Sequence, residues 1–432
     1  MAEQRLKDRL IKQARKRNGG ITAEADGGLT RTRIAAKYRR FDEHPAYREI
    51  AAMRRGAKRF GVDEPFFRTH EGIAGASTEI DGHQYINFAS YNYLGLNGHP
   101  RVQAAARDAM GRYGTSVSAS RPVAGERPIH RELERALAST YDVADAVAFV
   151  SGHATNVSTI ATLMGPQDLI LYDEFIHNSA AVGAQLSGAK RLGFTHNDPS
   201  DLDAKLAAHR GRFERCLILV EGLYSMDGDT PDLAALIDAK QRHGAWLMVD
   251  EAHSFGTVGA TGLGIREAQT IDPADVDIWM GTLSKTLAGC GGFIAGCQAL
   301  IEMLRYLAPG FLYSVGMPAP EAAAALEALH VMRDEPQRVE QLHQRGQQFL
   351  ARAQRAGLNT GTSEGYAVIP IINGSSLAAT RACHALFAQG INVQPILAPA
   401  VPERSARLRF FLSSDHTAEQ IDSTLERLEQ HP

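Results

Sequence analysis

Residues 245–254 read AWLMVDEAHS and residues 277–285 read DIWMGTLSK. In each, a short run that is apolar at almost every position stops at a polar cluster, Asp250-Glu251-Ala252-His253 in one and Gly281-Thr282-Leu283-Ser284-Lys285 in the other. A strand apolar on both faces suits a parallel sheet covered by helices on each side, rather than a sheet with one wet face. Four further runs of the same kind lie between residues 145 and 297: DAVAFV, DLILY, RCLILV and GGFIAG. Ala/Leu-rich stretches of helical length separate them, so the alternation predicts an α/β fold.

The functional signal lies in the residues immediately after each run. AVAFV leads into Ser151-Gly152-His153, LILY into Asp173 and His177, and LILV into Glu221 and Ser225-Met226-Asp227. Open α/β sheets bind ligands beyond the carboxyl ends of their strands, so these clusters are expected to meet in one crevice. On either side of this core the texture changes. A helix is expected from about His99 to Tyr113, long helices from about residue 318 to Gly357, and then strand, strand, strand, helix in GYAVIPIING, INVQPI, ARLRFFLS and the last twenty residues, a small α+β unit. The expected organisation is a basic arm at 1–45, a segment joining the small domain at 46–100, a large domain at 101–330 and a C-terminal small domain at 331–432.

Composition excludes several classes. With 432 residues, 44% hydrophobic and 22% charged, the chain resembles an ordinary globular protein. Its net charge of −3 removes the electrostatic case for nucleic acid as partner. Cys216, Cys290, Cys297 and Cys383 are too few and too scattered for a zinc site or a disulfide framework, and are expected to be reduced thiols. No run approaches the roughly 18 apolar residues of a membrane span, and no secretory signal is visible, so a cytoplasmic location is expected. The charge is uneven: residues 1–17 carry seven Lys or Arg against Glu3 and Asp8, a basic arm suited to an acidic partner, with Leu6, Leu10 and Ile11 at helical spacing.

Asp-Glu-Ala-His after an apolar strand also occurs in nucleotide-driven motors, but a G-x-x-x-x-G-K-[ST] phosphate loop is missing, because Lys285-Thr286 is preceded by Thr-Leu-Ser. G-x-G-x-x-G and H-E-x-x-H are missing too. A strand-end acid, a histidine three residues later, and a lysine beside Thr and Ser remain. Pyridoxal phosphate needs that set: an amine for a Schiff base, a carboxylate to keep the pyridine nitrogen protonated, and hydroxyls for the phosphate. The residues alone leave open that these are unrelated polar strand ends.

The order of motifs closes that gap by likeness. Ser90-Tyr-Asn-Tyr-Leu-Gly95, Ser120-Arg121 with Gly125 and His130-x-x-Leu-Glu134, Ser151-Gly152 with Asn156, and His177 with Ser179 come first. Then come Glu221-Gly-Leu-Tyr-Ser-Met-Asp-Gly-Asp229, Val249-Asp-Glu-Ala-His-Ser254, Gly281-Thr-Leu-Ser-Lys285, Tyr313-Ser314 and Arg407-Leu-Arg409. From about Asn87 onward the chain resembles the α-oxoamine synthases, fold-type I pyridoxal phosphate enzymes of the aspartate aminotransferase-like kind, which join an amino acid to an acyl thioester with loss of carbon dioxide.

The resemblance implies roles. Lys285 would form the Schiff base and then transfer the proton, Asp250 would pair with the pyridinium, and His177 would stack on the ring. His253 and Ser225 would bond its phenolate oxygen. Ser151, Gly152, His153 and Thr282 would hold the phosphate, with Ser314 reaching the phosphate of a second copy in a homodimer. Asn92 and Arg409 would hold the substrate carboxylate, with Arg407, two residues away on the same strand face, as the rival arginine. His130 reads as a helix-start histidine. His153, Asn178 and Val315-Gly316-Met317-Pro318 depart from the family's usual residues, near cofactor or acyl entry. The segment before Leu96 is most similar to members that act on carrier-bound acyl chains, including polyketide-associated ones, so an acyl carrier protein is the expected donor, long-chain acyl-CoA the alternative, and an aminotransferase or lyase reaction the remote one.

Overall fold

The computed structural model describes residues 34–59 and 64–430. The basic stretch 1–33 falls outside the described residues. Residues 34–59 contain two single 3-10 turns and one α-helix, α1 (Pro45–Arg59). They belong to a unit that separates from residues 62–432.

The second unit begins with the hairpin β1 (Ser77–Ile80) and β2 (His83–Asn87), then α2 (Pro100–Tyr113) and α3 (Pro128–Tyr141). The helix expected from His99 to Tyr113 is observed with His99 as its N-cap and Pro100 in its first turn, where a missing N–H costs nothing. Strands and helices then alternate: β3 (Asp145–Phe149), α4 (Gly152–Leu163), β4 (Leu169–Asp173), α5 (Asn178–Ser187), β5 (Lys190–Phe194), α6 (Pro199–His209), β6 (Cys216–Glu221), α7 (Leu233–His243) and β7 (Trp246–Asp250). β8 (Ile278–Thr282) and β9 (Gly292–Gly296) complete the sheet.

Its strand order is β3-β9-β8-β7-β6-β4-β5. Every neighbouring pair is parallel except those involving β9, which runs antiparallel to β3 and β8. Alternate residues feed two separate cores. Ile218, Val220, Leu247, Val249 and Trp279 pack in one, while Leu217, Leu219, Met248, Ile278 and Met280 pack in the other. Burial on both faces is why the strands read as unbroken apolar runs. β5 was not legible: KRLGF is an edge strand whose Lys190 and Arg191 are exposed, a charged rim of the kind that blocks edge-to-edge pairing.

The chain continues through α8 (Gln298–Leu307), α9 (Ala319–Asp334), α10 (Gln337–Arg355), β10 (Val368–Ile372), α11 (Ser376–Ala388), β11 (Ile391–Asn392), β12 (Gln394–Ile396), β13 (Arg407–Phe411) and α12 (Ala418–Glu429). β13 lies between β10 and β12, and β11 joins the N-terminal hairpin. Sequence reasoning passed over α11, whose buried face is built largely from Ala and Cys rather than large apolar residues.

A buried ion network fastens α3 to the sheet. Glu134 is fully buried, pairs with Arg121, and accepts bonds from Arg131 (2.7 Å), Arg305 (2.9 Å) and the Ala148 amide (3.0 Å). Burial pushes its carboxyl up, and the arginines pull it back. Removing one member of such a network strands the others in a dry site. Glu134→Leu is therefore expected to lose about 3–5 kcal/mol of stability, read as a fall in the urea-unfolding midpoint, whereas Glu132→Leu, at an exposed position of the same helix, should leave it unchanged.

Candidate active site

β4 runs outward to β5, and the chain returns to place β6, β7 and β8 on the other side of β4, so the strands reverse direction of travel there. The carboxyl ends of these strands open onto a chamber of about 320 Å³. Its walls carry Ser151, Gly152 and His153 after β3, His177 after β4, and Glu221, Ser225 and Met226 after β6. Asp250 and His253 stand at and beyond the end of β7, and Thr282, Ser284 and Lys285 at and beyond the end of β8. The expected convergence of five segments is therefore observed, apart from Asp173, which meets His196, and Asp227, which meets Arg407.

Asp250 sits 5% exposed at the end of β7, with Oδ1 accepting from the Ala252 amide (2.9 Å) and Oδ2 from Asn156 Nδ2 (2.8 Å). Asn156 sends its other N–H to Ser179 Oγ (2.9 Å), so the Ser179 hydroxyl donates onward to His177 Nδ1 (2.7 Å). The chain of bonds fixes His177's proton on Nε2 when the ring is neutral. Burial first, and then Lys285 despite the opposing pull of Asp250, holds that imidazole below its usual range. Asn156 and Ser179 stood in the sequence motifs without a role; their task is to link the acid to the histidine.

His253 is held in the same manner from another element. Its Nδ1 meets Tyr93 Oη at 2.8 Å, and burial, then the Lys285 charge, drives its pKa well down. Tyr93 stays protonated, because burial raises its pKa well above the ordinary value. With the hydroxyl donating to Nδ1, the neutral ring presents Nε2–H as its remaining donor. Tyr93 was one of two unassigned tyrosines in the Ser90–Gly95 motif.

Lys285 is half-buried, with Nζ 5.7 Å from the centre of the Tyr91 ring. Burial lowers its pKa to about 8, against the raising influence of Asp250 and Glu221. Glu221 pairs in register with Asp250, accepts from the Ser225 amide (3.1 Å) with Oε2, and has no hydrogen-bond partner at Oε1. Burial, and then Asp250, pushes its carboxyl up to about 8. Two carboxyls side by side in a dry site cannot both ionise cheaply, and Glu221 takes the proton.

The arginines of β13 divide. Arg409 lines the chamber, donates Nη1 to the Ser225 carbonyl (2.8 Å) and leaves Nε without a partner. Arg407 does share its strand face, but its guanidinium is spent on Asp227 (2.6 Å) and the Met226 carbonyl (3.0 Å) outside the chamber. The expectation that Arg407 could rival Arg409 for a substrate carboxylate is thus corrected: a buried ion pair already satisfies it. Asn92 lies in an adjoining chamber, with Nδ2 donating to the Ala74 carbonyl and Oδ1 accepting from the Asn97 amide. Ser314 lines neither chamber of this chain. His130 is structural as expected, accepting from Arg127 N and bonded to the Met317 carbonyl.

The residues fit pyridoxal phosphate. The chamber offers an amine with a lowered pKa, a paired carboxylate on its floor, and imidazoles with directed protons. Ser151 caps α4 at one end, and at the adjacent Gly152 a Cβ would stand 2.8 Å from Thr282 Oγ1. Only glycine leaves the helix N-terminus, a natural phosphate seat, open beside that hydroxyl.

Comparison with known proteins agrees. Residues 83–428 match the family "Aminotransferase class I and II". A protein of Gloeobacter violaceus, provisionally named 8-amino-7-oxononanoate synthase, is 40% identical over 365 residues, 84% of this chain and 92% of its own. The 8-amino-7-oxononanoate synthase of Methylobacterium nodulans is 38% identical over 356 residues, 82% and 89% of the two chains. Among solved structures, a serine palmitoyltransferase variant from S. paucimobilis with a bound PLP–myriocin aldimine superposes with a TM-score of 0.85 at 28% identity, covering 89% of this chain and 97% of that one.

The lowered pKa of Lys285 has a direct readout. In protein stripped of cofactor, acetylation of Lys285 followed by peptide mass spectrometry should titrate with a midpoint near pH 8, whereas exposed lysines should follow a midpoint about two units higher. Asp250→Asn should move the Lys285 midpoint lower still, because the carboxylate that favours the ammonium is gone.

Proposed function

The chain belongs to the aminotransferase class I and II family and, within it, to the α-oxoamine synthases, acyltransferases that use pyridoxal phosphate; on that premise we propose that it condenses an L-amino acid with an acyl group delivered on an acyl carrier protein. The products are an α-aminoketone, carbon dioxide and the free thiol. The observation that carries this reading is the pairing, in one chamber, of the Lys285 amine with an arginine, Arg409, that has an unspent N–H.

Bound pyridoxal phosphate supplies an electron sink for the carbanion at the amino acid's α-carbon. The chain's residues do the rest. Lys285 Nζ would be the amine that holds the cofactor and the base that takes the α-proton; its lowered pKa, about 8, suits it to act near neutral pH. Asp250, beside a Glu221 whose carboxyl is pushed up to about 8, places a carboxylate on the chamber floor to face positive charge. His177, its ring fixed through Ser179 and Asn156, would flank the cofactor. Ser225 and His253 lie where they can donate to an oxygen anion. Ser151, Gly152, His153 and Thr282, at the start of α4 and the end of β8, would hold the phosphate. Arg409 grips the substrate carboxylate with a charge-assisted bond and so orients the bond that later breaks to release carbon dioxide.

A homodimer with Ser314 reaching across to its partner is supported by the exposed apolar side chains beside it, Tyr313 (76%) and Val315 (53%). An acidic carrier protein is supported by the basic residues of the arm and of α1, and their field would accelerate encounter. Long-chain acyl-CoA remains the second reading, on the likeness to serine palmitoyltransferase. The boundary at residues 330/331 is proposed as the division between large and small domains.

A matrix of amino acids against acyl-CoA and acyl-carrier donors, read by product mass together with thiol and carbon dioxide release, tests the reaction; transamination without thiol release would overturn it. Lys285→Ala should abolish turnover. Arg409→Gln should raise the amino-acid KM about 10- to 100-fold, the worth of one bond to a charged group. Deleting residues 1–40 should raise KM for the carrier-bound donor alone, and equal effects on both donors would sink the docking role.

A further inference from the structure

His196 lies two residues beyond β5 and does not line the chamber, yet it ties together two loops that do. Its ring is wedged between two acids: Nδ1 meets Asp173 Oδ1 and Nε2 meets Asp229 Oδ2, each at 2.9 Å. A carboxylate oxygen only accepts, so both ring nitrogens donate and the ring carries a positive charge. Burial by itself would lower the imidazole's pKa, but the bonds to Asp173 and Asp229 carry it up to about 10. Phe175 stacks on the ring with centres 4.3 Å apart, and the Tyr224 ring crosses it at 89° with centres 4.5 Å apart.

Each acid governs one loop. Asp173 ends β4, and its oxygens also accept from the Phe175 amide (2.9 Å) and the Asn197 amide (2.9 Å). The turn it begins delivers His177 to the chamber wall. Asp229 closes the turn after β6: its carbonyl accepts from Tyr224 N (2.9 Å), and the Tyr224 carbonyl accepts from Gly228 N (2.8 Å). Ser225 stands inside that turn, and its carbonyl receives Arg409 Nη1 at 2.8 Å. Asp229 Oδ2 also accepts from Thr362 Oγ1 (3.0 Å), ahead of β10.

β4 and β6 are neighbours in the sheet, so the loops at their ends lie side by side, and the carboxylate that anchors each is buried. Two like charges so placed repel unless a cation stands between them. His196 is that cation.

We propose that His196 is a positioning residue for amino-acid binding: by bridging Asp173 and Asp229 it sets the spacing of the His177 and Ser225 loops, and through the Ser225 carbonyl it aims Arg409 into the chamber. This rests on the reading of Arg409 as the group that grips the substrate carboxylate. It adds that the grip is set from outside the chamber.

Titration of the holoenzyme with glycine, L-alanine and L-serine, followed by the cofactor absorbance with no acyl donor present, tests it. For whichever amino acid binds the wild type, His196→Gln should raise Kd about tenfold, the worth of one misplaced bond to a charged group. In the His196→Gln/Arg409→Gln double variant, Kd should stay within about twofold of that of Arg409→Gln alone, because the effect of His196 runs through that arginine. His243→Gln, which removes a 2.9 Å bond to Asp203 that serves no chamber loop, should leave Kd unchanged. A fall in the urea-unfolding midpoint of His196→Gln with Kd unchanged would overturn the proposal by leaving His196 a purely structural role. Losses that multiply in the double variant would overturn it too, by making His196 independent of Arg409. If His196→Gln does not fold, Asp229→Asn, which keeps the shape of the side chain and removes its charge, is read in the same way. If none of the three amino acids alters the wild-type absorbance, the amino-acid reading fails, and the proposal with it.

Discussion

Asp250 lies at the end of a central strand with a second carboxyl, Glu221, beside it in register, both nearly out of reach of water. A dry site tolerates one negative charge there only if it is hydrogen-bonded and opposed by a positive one. Much of the chamber answers that demand. Asn156 donates from α4, Ala252 donates from the turn beyond β7, Lys285 supplies opposing charge from the loop after β8, and Glu221 gives up its own charge by holding a proton. Because Asn156 has a second N–H to place, satisfying the acid also orients Ser179 and hence His177. One electrostatic requirement therefore propagates through four elements.

The same logic shows why much of the site could be read from sequence and some could not. Strands β3, β4, β6, β7 and β8 announce themselves because burial on two faces demands unbroken apolar runs, and the polar clusters that end them mark the carboxyl edge. Lys285, Asp250, His253 and His177 were legible because each stands at or just beyond such a run. Tyr93 and Arg409 come from segments far before and far after His253, so no local spacing ties them to it; only motif likeness drew attention to their stretches. Asn156 and Ser179 lie inside or at the start of helices, where an Asn or Ser is ordinary. The choice between Arg407 and Arg409 needed Asp227, whose position is set by the turn after β6 rather than by β13. β5 and α11 were missed because their sequences lack the apolar signature: one is a charged edge, the other a helix faced with small residues.

Two electrostatic devices of different kinds thus coexist. The Glu134 network sets three arginines around one carboxylate, and it fastens α3 to the sheet. The active chamber is incomplete by comparison: Glu221 Oε1, Asn156 Oδ1 and Arg409 Nε all lack partners. Unsatisfied buried polar atoms lower stability, so three of them in the wall of one chamber suit a surface that a ligand completes.

The twin arginines of β13 also act as a proofreading device for the strand. β13 is sandwiched between β10 and β12, and its side chains alternate between the core, through Leu408 and Phe410, and the polar turn, through Arg407 and Arg409. A shift of one residue along either neighbour would drive both guanidiniums into hydrocarbon and set leucine against Asp227 and the Ser225 carbonyl. A slipped pairing would thus cost two stranded charges, and the bond that Arg407 makes to Asp227 outside the chamber fixes the register that sets Arg409 in the chamber wall.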